Sequence, residues 1–508
     1  MGKNKQLIIN LMTTLIVLVI NIGINFGLSK YIVSSIGEEA YGFISLANSF
    51  ISYATIFTVA LNSMASRFIT IDIQKGNVES ANKYFSSVLI ANIFIVFLLV
   101  IPSLISIFYL DSFINISPKI LIDVKLLFLF IFINFFVSLI GGVFTIATYC
   151  TNKLYLSSLK NMESYILKAL IIITLFILFK PAIFYVGIAT LIAGLYVFLF
   201  NIKFTKELLP DIRISKNNFS KKKVKILLFS GLWNSITNLG NVLTDGLDLI
   251  ISNLVIDAST MGIVALAKVP STVVNNVISS IANVFQPQII QYYSKNDING
   301  VVRETEKGMK ICGVFGNIPF CYVVAFGFMF CKWWMSDINN SLLSILCIIT
   351  FINIFTGGLI TPLYNIFTIT NKVRGNALLN IGSGILSILI VLLLLKITNF
   401  GVYAIVGVST VIGFIKGFIV IPIYSAKCLN VNIKIFFSTI IQYFLTSLIM
   451  IFAFYIISLF IHPNSLITIV LSICLCGVIG ILINYFVFLN KDEKISLVNL
   501  ILRKGRKV

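Results

Sequence analysis

The chain has 508 residues, 58% of them apolar and 11% charged, with a mean hydropathy of +1.02. A soluble globular protein carries about 25% charged residues, so this composition excludes a soluble domain and describes a polytopic membrane protein. The net charge of +20 sits in loops and tails, where positive-inside topology accounts for it before nucleic acid does.

In chain order, MGKNK is followed by an apolar run from Leu7 to Val33. That run is too long for a signal-peptide core and lacks an A-x-A cleavage site, so it is read as a retained first span. Gln6 stands where a myristoylation signal needs Ser or Thr. At about 20 apolar residues per crossing, the sequence predicts an all-α fold of about fourteen transmembrane helices. They cover roughly 7–33, 41–65, 84–109, 121–148, 163–180, 182–202, 226–254, 259–290, 310–331, 341–369, 376–396, 400–425, 434–460 and 465–489. With the N-terminus inside, every second loop is cytoplasmic, and these loops hold most of the 38 Lys and Arg. The strongest signals are 203–225, with Lys221, Lys222 and Lys223 in a row, and the tail Arg503, Lys504, Arg506 and Lys507. Both termini are therefore expected in the cytoplasm, and the same clusters suit anionic membrane lipid.

The two sides of the basic loop match. Tyr41-Gly42 recurs as Met261-Gly262, Gln74-Lys75-Gly76-Asn77 as Ser294-Lys295-Asn296-Asp297, and Thr151-Asn152-Lys153 as Thr370-Asn371-Lys372, after which Asn161 matches Asn380. The offset stays at about 220 residues, and an even number of spans per repeat gives both halves the same orientation. The chain accordingly divides into a six-helix bundle over 1–203, a basic linker over 204–225, a second six-helix bundle over 226–427, two extra spans over 428–490 and a basic tail over 491–508.

The seventh span carries Asn234, Asn238, Asn241, Asp245 and Asp248, spaced by four, three, four and three residues. That spacing places all five on one face of an α-helix. Asn241 and Asp245 align with Asn21 and Asn25 of the first span. The eighth span repeats the pattern with Lys268, Thr272, Asn275 and Ser279, and the second with Asn48, Ser52 and Thr55. Four polar-striped helices predict a central hydrophilic cavity; the competing reading is that each amide joins two helices, at about 1 kcal/mol apiece. Asp245, Asp248 and Lys268 would together cost on the order of 8–10 kcal/mol facing lipid, so they must be paired or hydrated. A Lys268–Asp salt bridge and direct substrate contact both remain open. Lys30 and Arg67 lie nearer the ends of the first two spans, Arg67 as a topology anchor or at the inner mouth. Lys168 and Lys416 are further intramembrane lysines. Pro270, Pro287, Pro319 and Pro362 are expected to kink their helices.

Catalytic chemistry has little to work with. The eight cysteines form no CxxC pair, His462 is the single histidine, and there is no Walker A sequence. No metal or cofactor is expected, and the chain is read as a transporter, not an enzyme.

IGEEAYGFISLANSF, ALNSMASRFIT, VFQPQIIQYYSKND and TNKVRGNALLNIGSGI, with the twelve-plus-two architecture, resemble the multidrug/oligosaccharidyl-lipid/polysaccharide exporter superfamily, and within it bacterial O-antigen or capsular polysaccharide flippases. The resemblance implies translocation of an undecaprenyl-diphosphate-linked oligosaccharide across the bacterial plasma membrane by alternating access, serving O-antigen, capsule or another surface polysaccharide. It also implies an electropositive cavity in which Lys268 matches a basic position. Asn48 stands where related flippases can carry Arg, and Asp245 and Asp248 depart from a uniformly basic cavity; they leave open a neutral or amino sugar, or coupling to H⁺ or Na⁺. Implied partners are the lipid-linked oligosaccharide, membrane lipids and other polysaccharide-assembly proteins. The alternatives are a cation-coupled multidrug exporter of the same superfamily and, more remotely, a membrane polysaccharide polymerase or ligase, which the short external loops disfavour.

Overall fold

The computed structural model describes residues 3–336, 338–489 and 494. Among them the chain is helical throughout and has no strand. The main helices are α1 (Lys3–Gln74), α2 (Val78–Phe108), α3 (Leu121–Gly141), α4 (Leu154–Leu178), α5 (Phe184–Leu208), α6 (Lys221–Asn241), α7 (Asp248–Val255), α8 (Ala258–Ser294), α9 (Ile298–Trp334), α10 (Asn340–Ile360), α11 (Val373–Ile397), α12 (Val402–Ile415), α13 (Phe437–Phe460) and α14 (Leu466–Ile483). The basic tail from Arg503 onwards lies outside the described residues.

Twelve helical segments among the described residues are long and apolar enough to cross a membrane. Two departures separate them from the predicted fourteen. The first two predicted spans run together in α1 without a loop; they are divided by a kink at Gly37 (φ 85°, ψ 168°), a backbone region that only glycine occupies readily. The seventh falls outside the set because its amides lower its hydropathy and a π-turn cuts it short.

The matched sequence stretches make matched turns. Gly76 (φ 74°) and Asn296 (φ 57°) both take left-handed conformations, as do Asn152 (φ 55°) and Asn371 (φ 55°). Each closes a helix: the amide of Asn77 donates to Asp72 O (2.9 Å), that of Asp297 to Tyr292 O (3.0 Å), that of Lys153 to Thr148 O (2.8 Å) and that of Lys372 to Phe367 O (2.9 Å). These are six-to-one C-caps, which need glycine or asparagine at the left-handed position. The next helix is then capped at its N-terminus by Asn77, which accepts from Ser80 N at 3.0 Å, and by Asp297, which accepts from Gly300 N at 2.8 Å.

The chain forms two compact units. The first comprises Met1–Leu266 and Ala377–Ile388. Its core gathers Leu61, Ile69, Phe85, Val88, Phe144 and Leu227, with the rings of Phe85 and Phe144 edge-on at 5.7 Å. α6 lies so close to α1 that a Cβ on Gly231 would stand 1.9 Å from the Ala60 carbonyl oxygen. At its surface, the Lys125 ammonium hydrogen-bonds Asp111 (2.6 Å) and holds that carboxyl below the usual carboxylate range.

The second unit comprises Ala267–Asn376 and Leu389–Val508. Its core contains Phe285, Met309, Phe355, Leu359, Tyr443 and Phe488. The two extra C-terminal helices are fastened to α9 and α10. Tyr443 OH donates to Phe355 O (2.9 Å), Tyr322 OH meets Ser472 Oγ (2.9 Å), and Asn317 Nδ2 donates to Asn484 Oδ1 (3.0 Å). Pro270, Pro287 and Pro319 lie inside helices as expected, while Pro362 sits in a 3₁₀ turn, Thr361–Leu363, that ends α10. Pro102 is a further proline inside α2.

Candidate functional site

The seventh predicted span is two helices. α6 ends at Asn241, Val242–Gly246 forms a π-helical turn, and α7 begins at Asp248. The expectation that Asn234, Asn238, Asn241, Asp245 and Asp248 share one α-helical face is therefore corrected. The 4-3-4-3 spacing holds through Asn241, and the wider π-turn then shifts the phase of everything after it. Asn241 is exposed, whereas Asp248 is buried at 5%. The side chain of Asp245, within the π-turn, lies outside those described.

Within the first unit the amides of α6 reach α1. Asn234 Nδ2 donates to Ser63 Oγ (3.1 Å), Asn238 Nδ2 to Thr55 Oγ1 (3.2 Å), and Ser235 Oγ to Ile56 O (2.8 Å). Tyr53 OH donates to Gly246 O in the π-turn, where the wide pitch frees a carbonyl. Asn48 is exposed and its amide donates back to Ile44 O (2.9 Å); Lys30 and Arg67 are exposed on α1. In the second unit, Lys268 is partly buried and Asn275 exposed on α8, where Ser271 and Thr272 both donate to the Lys268 carbonyl.

The repeat positions behave differently in the two halves. In the second, Asn380 Nδ2 donates to Asn241 Oδ1 (3.2 Å), and α11 closes on α6. A Cβ on Gly240 would lie 2.6 Å from Asn380 Cβ, and one on Gly384 would lie 2.5 Å from Leu243 Cβ. Ser387, one turn further along α11, is buried. In the first half the counterparts Asn21 and Asn161 line a cavity of about 430 Å³ between α1, α3, α4 and α5. Asn25, Asn134, Ser164, Tyr165, Thr190 and Asn201 also line it, and Lys168 is its one charged side chain. Asn25 Nδ2 donates to Asn21 O (3.0 Å) and also to Asn21 Oδ1. Asn134 Oδ1 and Asn201 Oδ1 are buried without a hydrogen-bond partner. Gly194 makes room for the former, since a Cβ there would come within 1.8 Å of that oxygen. Lys168 was legible in the sequence only as an intramembrane lysine, and nothing in its spacing tied it to Asn21 and Asn25.

Among the described residues no three His, Cys, Asp or Glu side chains gather as a metal site. Cys331 Sγ and Cys347 Sγ lie 3.9 Å apart as free, buried thiols.

Residues 7–293 match the model of the family described as "Polysaccharide biosynthesis protein". The "uncharacterized membrane protein EpsK" of Bacillus subtilis (strain 168) is 26% identical over 438 residues, which cover 85% of this chain and 86% of that one. Among solved structures, the lipid II flippase MurJ in an inward closed conformation superposes with a TM-score of 0.64 at 16% identity, over 94% of this chain and 98% of that one. An inward-facing multidrug resistance MATE family transporter of the MOP superfamily gives 0.63 at 14% identity, over 83% and 98%. At these identities the likeness is one of fold.

Proposed function

The chain belongs to the polysaccharide biosynthesis protein family, and from that premise we propose that it is a flippase. It moves an oligosaccharide linked to undecaprenyl diphosphate from the inner to the outer leaflet of the bacterial plasma membrane by alternating access. Both termini face the cytoplasm, where the basic loop 203–225 meets anionic lipid.

The observation that carries this reading is the α6–α7 segment. It is too polar for lipid and is interrupted by a π-turn of a kind often found at functional sites. The fold around it is shared with the lipid II flippase MurJ. A stripe of amides can exchange hydrogen bonds with successive sugar hydroxyls, because each amide both donates and accepts. Lys268 is assigned to the diphosphate or to acidic sugar groups, and Asp245 and Asp248 to sugar selectivity or to coupling with H⁺ or Na⁺. Asn21, Asn25, Asn48, Asn275, Lys30 and Arg67 complete the assignment as lining residues of the path.

A second reading has one observation in its favour. Asp248 is a buried carboxylate in a fold shared with a multidrug resistance transporter, and a carboxylate suits a cationic drug. Deletion of the gene separates the two: loss of surface glycan with unchanged drug tolerance supports the flippase, and the reverse supports the exporter.

A further inference from the structure

At one end of the first unit a short strip of chain is held by side chains from two other elements. Residues 114–117 run irregularly between the short helix Leu110–Phe113 and the 3₁₀ turn Pro118–Ile120. The backbone N–H of Asn115 donates to Asn253 Oδ1 (2.7 Å), and that of Ser117 to Glu39 Oε1 (3.3 Å). Asn253 Nδ2 donates in return to Asn115 O (2.9 Å), Asn115 Nδ2 to Asn253 O (2.9 Å), and Ser117 Oγ to Glu39 Oε1 (2.7 Å). Beside Glu39, Glu38 Oε1 accepts from Ser259 Oγ (2.9 Å). The strip thus ties α1, just past its kink, to α7. Glu39 lies about 50 Å along α1 from Gln74, beyond which Lys223 of the basic loop donates to Ser80 Oγ (2.7 Å). The positive-inside orientation then places the strip outside.

Two features suit this contact to opening. Asn253 is 0% exposed, yet its amide is met by the strip, and water serves an amide equally well once the strip lifts. An apolar side chain there would oppose opening, since it would gain exposure with no hydrogen bond in return. The neighbouring Ser252 Oγ is buried with no hydrogen-bond partner, so closure leaves unmet a hydroxyl that water satisfies on opening.

We propose that the strip 114–117 is an outer latch, released from Asn253 and Glu39 and remade in each transport cycle. The cycle rests on the flippase reading, but the latch itself is measurable without transport.

The reporter is Ser252→Cys in the full chain purified in detergent, labelled with a water-soluble maleimide and resolved from the native cysteines by peptide mass spectrometry. Glu39→Ala should speed labelling about tenfold or more, the loss of hydrogen bonds to a charged group; Glu39→Gln, which keeps an acceptor, should stay within about threefold of the parent. In a second arm, Asn115→Cys with Asn253→Cys is oxidised in liposomes, beside the wild-type chain treated alike. The cross-linked pair should stop movement of an undecaprenyl-diphosphate-linked oligosaccharide, and reduction should restore it. Labelling that Glu39→Ala leaves unchanged, a pair that does not cross-link, or a cross-linked chain that transports at the wild-type rate would each overturn the latch. A wild-type chain that moves no lipid-linked oligosaccharide, with labelling still accelerated by Glu39→Ala, supports the latch and removes the flippase reading.

Discussion

Gly42 and Gly262, repeat counterparts in the sequence, pack backbone to backbone: a Cβ on Gly42 would lie 2.9 Å from both Cα and N of Gly262. One turn earlier in α1, the Glu38 carbonyl oxygen lies 2.1 Å from where a Cβ on Gly262 would be. The sequence repeat is thus also a contact between repeat elements, made within the first unit.

Gly262→Ala is therefore expected to destabilise the chain by about 1–3 kcal/mol, because backbone cannot yield as a flexible side chain can. Gly23→Ala is the control. Nothing lies within 4 Å of the added carbon, and replacing glycine in a helix gains about 0.5–1 kcal/mol. Thermal unfolding in detergent should lower the midpoint for the first substitution and hold or raise it for the second.

Gly37→Ala tests the kink in α1. Space is open around Gly37, so the cost, on the order of 1–3 kcal/mol, is purely one of backbone conformation. The variant should unfold at lower temperature and lose glycan display; an unchanged midpoint would mean the kink persists without glycine.

Asn77→Ala and Asp297→Ala remove the equivalent N-caps of α2 and α9. Each should cost about 1 kcal/mol. The two caps are far apart in sequence and share no partner, so the double variant should show the sum. A double variant no worse than either single one would contradict independent caps.

The fold was legible because its signals are local. Apolar runs mark the crossings, and Gly76, Asn152, Asn296 and Asn371 mark left-handed turns at repeated positions. The site was less so. Regular 4-3-4-3 spacing reads as an α-helix, and nothing local to Val242–Gly246 announces a π-turn, which depends on partners such as Tyr53. Lys168 belongs to a cavity assembled from four helices, and only packing brings it together with Asn21 and Asn161.

Asp248→Asn and Lys268→Ala address the translocation path. Both should abolish surface glycan while membrane levels stay normal. Replacing a buried carboxylate by its isosteric amide keeps the shape and removes the charge, so lost function at normal abundance separates a role in transport from one in folding. Full glycan display by both variants would refute the assignment.

The most direct measurement places the purified full chain in liposomes with a fluorescent undecaprenyl-diphosphate-linked oligosaccharide and follows its accessibility to a membrane-impermeant quencher. The account predicts protein-dependent movement between leaflets that Lys268→Ala eliminates. No movement with the wild-type chain, in the same liposomes where it does drive efflux of a cationic drug, would contradict the central claim.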